Sequence, residues 1–216
     1  MLEGDWLKLC TWNDFSEGTE GAPSLRGQWA IADLCAFYNA WFRSGSQPEI
    51  VRDCLYYAHR LHAFDAMPNT SYQTISKPDS IQPGNRFYNK TQSAYASENV
   101  ISVLVFPTDD CEVDIVTAEG TTTHAVTGQT VQHVTAPLPV TAGGRPQFRM
   151  RRGGQTVIDM ASAFRVRTSV PYWQDLKAGM GGSLRYQLGQ AGVLRPPYAE
   201  PVELVRDWLK GECRYG

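Results

Sequence analysis

Two acids three residues apart mark the most chemically suggestive segment of the chain. They are Asp14 and Glu17, within Thr11-Trp12-Asn13-Asp14-Phe15-Ser16-Glu17-Gly18-Thr19. A carboxyl pair of this kind can break a glycosidic bond: one carboxyl protonates the leaving oxygen while the other activates water or attacks carbon. Trp12 offers an apolar wall that would raise a neighbouring carboxyl's pKa, or a platform for a sugar ring. Gly18 would relieve crowding where a substrate approaches the backbone. The same D-x-x-E spacing also arises as a charge cluster at a helix N-terminus, with Asp14 or Glu20 a plain surface acid. Spacing alone leaves both readings open.

The elements around the pair predict how it would be held. Trp6 to Trp12 is short and mostly apolar, polar only at Lys8 and Thr11, as in a strand buried on both faces. Asn13 to Pro23 is rich in Gly, Ser, Thr and acids and reads as a loop. Gln28 to Arg43 follows with a helical apolar stripe (Trp29, Ala32, Leu34, Ala36, Phe37, Ala40, Trp41), and Gly45 is a natural C-terminal cap. Strand, loop and helix in that order make one β/α unit. The pair would then sit beyond the strand's C-terminal end, the face on which β/α barrels build their active sites.

Beyond this unit the pattern changes. Cys54 to Leu61 suits strand or helix, and its aromatic content favours strand. Residues 63–97 hold several prolines and no sustained period. Asn99 to Phe106 is a strong strand ended by Pro107, and Cys111, Val113 and Ile115 alternate with Glu112 and Asp114 as in a half-exposed strand. Further strands are predicted over Thr121 to Val126, Val131 to Ala136, Phe148 to Met150 and Thr156 to Val166, separated by turn signals that include Gly143-Gly144 and Gly153-Gly154. Such spacing indicates an antiparallel sandwich. The tail from Tyr172 is weakly patterned apart from one short helix over Pro201 to Lys210, with Val202, Val205 and Leu209 on one face.

Other candidates have plainer readings. His59 and His62 lie three apart with no carboxylate at helpful spacing, so packed or surface histidines are expected rather than a metal site. Arg149, Arg151 and Arg152 read as a solvated sheet face opposite Met150. Tyr56, Tyr57, Tyr172 and Trp173 read as core aromatics before they read as a sugar platform. Cys10, Cys35, Cys54, Cys111 and Cys213 form no C-x-x-C pair, which argues against zinc and for buried thiols. Asn69 and Asn89 satisfy the glycosylation pattern.

The whole chain has 216 residues, 42% apolar and 19% charged, with a net charge of −2. That composition suits a folded globular protein and gives no electrostatic reason to expect nucleic acid or an anionic membrane as partner. No apolar run reaches the roughly 20 residues of a membrane span, and the N-terminus lacks the pattern of a signal peptide.

Trp12-Asn13-Asp14-Phe15-Ser16-Glu17-Gly18-Thr19 resembles the end of the catalytic barrel in glycoside hydrolase family 71, the endo-α-1,3-glucanases (mutanases). It is also similar to the Glu-Trp-x-Glu-Gly-Thr motif of the related family 99. Asp33 to Gly45 resembles the family's final barrel helix, Asp53 to Arg60 the strand that follows, and residues 98 to about 165 its C-terminal β-sandwich. The resemblance implies Asp14 as general base and Glu17 as general acid of an inverting hydrolysis of α-1,3-linked glucan, with Trp12 and Asn13 at the substrate. Family 71 usually reads Asp-aromatic-Gly-Glu-Ser-His-Tyr. Here Ser16 replaces the Gly and Gly18-Thr19 replaces Ser-His, which bears on the substrate more than on the reaction.

The expected fold is therefore mainly β with some α: the last strand-loop-helix unit of a TIM-type barrel, then an antiparallel β-sandwich. The expected domains are a barrel unit over residues 1–48, a connecting segment over 49–97, the sandwich over 98–170 and an extension over 171–216. A full barrel has eight β/α units and about 250 residues, so this chain is expected to be a C-terminal portion, inactive alone. The partners expected are a polysaccharide or oligosaccharide, and the missing barrel part or a partner chain that completes it, with neither nucleic acid nor membrane. No cofactor or metal is expected, and the resemblance points to a secreted or periplasmic setting. The alternative is a non-catalytic carbohydrate-binding or structural β-sandwich.

Overall fold

Strand-forming residues dominate residues 99–161, and the backbone follows them. The computed structural model of the chain describes residues 11–13, 20–24, 26–63, 66, 99–169 and 178–193. The chain divides into two compact units, one of Met1–Glu49 with Met180–Gly216 and the other of Ile50–Gly179.

The larger unit is built from β-strands. Sheet one has the order β5-β2-β1-β8, with β1 (Cys54–Arg60), β2 (Val100–Phe106), β5 (Gln132–Pro137) and β8 (Ala178–Gly182), whose first two residues belong to this unit. Sheet two has the order β4-β3-β6-β7, with β3 (Cys111–Thr117), β4 (Gly120–Val126), β6 (Gln147–Arg152) and β7 (Gln155–Ala161). The pairs β1–β2, β2–β5, β3–β4, β3–β6 and β6–β7 are all antiparallel.

Ile101, Val103 and Val105 alternate inward from β2, and Val113 and Ile115 from β3, all fully buried. The Tyr57 ring of sheet one stacks on Phe148 of sheet two with centroids 4.8 Å apart. Two antiparallel sheets thus face each other across an apolar interior, the layering of a β-sandwich. The sheet also takes in β1, from the segment expected to connect. Cys54 through Tyr57 are all buried, which explains why the run shows no alternation: both faces of this interior strand are covered.

Gly179 marks a close approach. A Cβ there would lie 2.3 Å from the Phe164 ring, so only glycine lets β8 pass beside it.

The smaller unit holds α1 (Ala30–Ser44) and the short α2 (Leu184–Gln190). Helix α1 matches the predicted stretch and ends as its sequence demands: Gly45 takes the left-handed conformation, φ 72°, and its N–H donates to the Trp41 carbonyl. At the other end Trp29 stands at the N-cap without a side-chain cap bond. Strand β8 and helix α2 fall in the tail that showed no pattern. Of the strand expected over Trp6 to Trp12 only Thr11 and Trp12 are described, and neither is in a strand. The helix expected over Pro201 to Lys210 lies outside the described residues, as do Asn69, Asn89, Tyr172 and Trp173.

Candidate functional site

The loop that carries the acid pair is tied at its base. Gly21 N–H donates to the Thr11 carbonyl at 2.8 Å and Ala22 N–H to the Trp12 carbonyl at 2.7 Å. The two bonds join Thr11 and Trp12 to Gly21 and Ala22. Below the loop Glu20 is a structural centre and not the surface acid that its position in a polar loop suggests. Its carboxylate accepts bonds from Ser24 Oγ at 2.8 Å and Arg26 Nη2 at 2.7 Å, and it is almost wholly buried. Burial alone would push its pKa up. The bonds from Arg26 and Ser24 outweigh that and leave it below the ordinary glutamate range. Ser24 also accepts from Gly27 N–H at 2.8 Å and exchanges backbone bonds with Gln28, which holds φ at 48°. This knot leads directly into α1.

Trp12 is 66% exposed, and Asn13 beside it is exposed as well. Asp14 and Glu17 lie outside the described residues. An ionised Glu20 bonded on both oxygens is unsuited to protonate a leaving group, so it does not substitute for either.

A second polar cluster joins α1 to α2. Arg185 grips Asp33 through both Nε and Nη2, and its guanidinium lies 4.5 Å from the centre of the Trp29 ring. The cavity between Gln28, Trp29, Asp33 and Arg185 is about 10 Å³, room for one water and far too small for a sugar ring.

The larger unit has two further clusters with chemical potential. In the first, His59 Nε2 and Ser162 Oγ are 2.8 Å apart. His59 Nδ1 lies 2.8 Å from the Arg60 carbonyl, which can only accept, so Nδ1 carries the proton and Nε2 accepts from the Ser162 hydroxyl. That is the tautomer of a serine hydrolase pair. Ser162 is completely buried, however, and its oxygen also takes the Phe164 N–H at 3.0 Å. Ala163 N–H donates to the Tyr57 hydroxyl at 2.8 Å. The group is a polar latch between β1 and the segment after β7. Burial pushes the His59 pKa down, partly offset by the Arg60 carbonyl, and pushes the Tyr57 phenol up.

In the second cluster Asp53 accepts from Nη1 and Nη2 of Arg152 at 2.9 Å and from the Thr108 N–H at 2.7 Å. Burial raises the Asp53 pKa, but the Arg152 and Thr108 bonds prevail and lower it overall. Nearby, Asp110 binds Gly128 N–H, while Gln129 Nε2 donates to the Ile50 and Thr108 carbonyls. The open recess there is lined by groups already committed to holding turns.

The three arginines of β6 are partly exposed while Met150 beside them is buried, and each is paired. Arg149 pairs with Asp159, Arg151 with Asp114 and Glu112, and Arg152 with Asp53. Asp114, expected on a half-exposed face, is buried because Arg151 and Thr123 cover it. His62, like His59, is buried, and so are Tyr56 and Tyr57. Cys54 and Cys111 are buried and Cys35 is half-buried; burial raises the Cys111 pKa. Among the described residues no three His, Cys, Asp or Glu side chains gather as metal ligands would, and no helix is long and apolar enough to cross a membrane.

No protein-family model, curated protein or solved structure matches this chain.

Proposed function

We propose that the chain is part of a glycoside hydrolase of the family 71 type, acting on α-1,3-linked glucan with Glu17 as general acid and Asp14 as general base. The observation that carries this reading is the exposed Trp12, beside backbone bonds that join Thr11 to Gly21 and Trp12 to Ala22 on either side of the motif. An exposed aromatic ring next in sequence to an acid pair suits a bound sugar, which stacks on the ring while its glycosidic oxygen meets the acid. In an inverting hydrolysis Glu17 gives its proton to the leaving oxygen. Asp14 takes one from the water that attacks the anomeric carbon on the opposite face, which calls for carboxyls about 6.5–9.5 Å apart. Beside the sandwich, the sequence carries the pattern of one β/α unit, whereas a barrel needs eight. The pair therefore depends on further barrel units to complete the cleft.

Affinity electrophoresis on α-1,3-glucan, β-glucan and mannan tests this reading. The expected result is retardation by α-1,3-glucan alone, weakened roughly tenfold by Trp12→Ala through loss of ring stacking, with no turnover by the 216-residue chain. Equal mobility in all three gels would sink the sugar reading, and turnover by the chain alone would overturn its dependence on further units. Retardation that survives Trp12→Ala would favour the other reading, a carbohydrate-binding or structural β-sandwich. In that reading's favour, the described sandwich acids Asp53, Asp114 and Glu119 are all engaged in hydrogen bonds within the fold.

A further inference from the structure

Gln28 carries a buried donor that the fold leaves over. Its side chain lines the small cavity of the Asp33–Arg185 cluster, and the residue is 8% exposed. Its Nε2 has no hydrogen-bond partner among the described residues. A buried carboxamide N–H without an acceptor is rare in folded proteins, because nothing replaces its bond to water. The backbone is unusual at the same residue: φ is 48°, a left-handed value that glycine or asparagine takes more easily.

The cavity has the size and polarity of a single hydration site. Gln28, Trp29, Ala30, Asp33, Gly182 and Arg185 line it, all in the smaller unit, and its volume of about 10 Å³ suits one water. Asp33 Oδ1 accepts the closer bonds of Arg185, from Nε at 3.1 Å and from Nη2. Among the described residues Oδ2 accepts one longer bond, 3.3 Å from Nε, and so keeps a lone pair for a second donor. The carboxylate and the guanidinium cancel in charge, so the cavity offers an ion nothing to offset its loss of hydration. A neutral molecule that both accepts and donates fits there, and at this volume that molecule is water.

We propose that the cavity is a binding site for one long-lived water, which accepts a hydrogen bond from Gln28 Nε2 and donates one to Asp33 Oδ2. The water joins the turn ending at Gln28 to helix α1, whose Asp33 in turn holds Arg185 of α2. It also accounts for a glutamine at a left-handed position: glycine there would relax the backbone but supply no donor. This goes beyond the glycosidase reading and does not depend on it.

Magnetic relaxation dispersion of the solvent oxygen nuclei, which counts waters held for longer than the protein takes to tumble, tests the site on the full chain. Gln28→Met keeps the length of the side chain and removes its amide. The wild type is expected to hold one long-lived water more than Gln28→Met, with matching far-UV circular dichroism as the check on folding. Equal counts overturn the proposal. A second measurement needs no variant. The Gln28 carboxamide protons of the wild type are expected to show water cross-peaks of opposite sign in the laboratory and rotating frames, and the absence of such peaks overturns the proposal as well. Chloride line broadening that the wild type causes and Gln28→Met abolishes would assign the site to an anion, which also overturns it.

Discussion

Replacing Ser162 with alanine removes one oxygen from the sandwich interior and strands two groups at once. His59 Nε2 loses the hydroxyl that donates to it at 2.8 Å, and Phe164 N–H loses the acceptor at 3.0 Å. Each buried group left unsatisfied costs about 1–3 kcal/mol, so a loss of about 2–6 kcal/mol is expected. In urea, with a slope of about 1.5 kcal/mol per molar, the midpoint should fall by about 1–4 M at unchanged slope.

The same latch sets a pH dependence. Burial holds the His59 pKa below its unfolded value of 6.5, so the unfolded chain takes up a proton first as pH falls. The His59 contribution is thus fully present above pH 6.5 and is lost as pH falls from there through the folded pKa. The slope is up to about 1.4 kcal/mol per pH unit. His59→Gln keeps a polar side chain that does not titrate, so it should flatten the stability profile below pH 6.5 relative to the wild type. Far-UV circular dichroism of the β signal in urea series from pH 7.5 to 5 measures both effects. Two outcomes would refute the reasoning: a Ser162→Ala loss under about 0.5 kcal/mol, within the range of a plain surface change, or parallel pH profiles for wild type and His59→Gln.

Asp53→Asn should weaken the grip on Arg152 and Thr108 and cost about 1–3 kcal/mol, tempered by the partial exposure of Arg152. Because the Asp53 pKa is lowered in the fold, its contribution is present above the unfolded value of 3.8 and lost as pH falls through the folded one. Acid titration of the urea midpoint should show this component missing in Asp53→Asn, and an unaltered acid limb would contradict it. Gly179→Ala places a methyl 2.3 Å from the Phe164 ring and should cost about 1–3 kcal/mol through overpacking. A melting temperature within a degree of the wild type would contradict that close approach.

Local sequence determined the elements whose signals are local. The apolar stripe and Gly45 gave α1 and its end, because helical periodicity and a left-handed cap act within a few residues. Alternation at Cys111, Val113 and Ile115, with turn residues between runs, gave β3 and its neighbours for the same reason. The motif at residues 12–19 was equally legible as a motif, and its aromatic and acids needed no fold to be noticed.

Tertiary structure decided everything that depends on distant partners. His59 meets Ser162 across 103 positions and Asp53 meets Arg152 across 99, separations at which no sequence period operates. Glu20 has near partners, Ser24 and Arg26, yet four- and six-residue spacings in a loop follow no period, so only the folded turn shows its burial. Strand β8, Ala-Gly-Met-Gly-Gly, has little strand propensity and exists because β1 offers it an edge to pair with. The residue types fixed which chemistry was available; long-range packing chose which acids and which histidine were buried, ionised or held neutral.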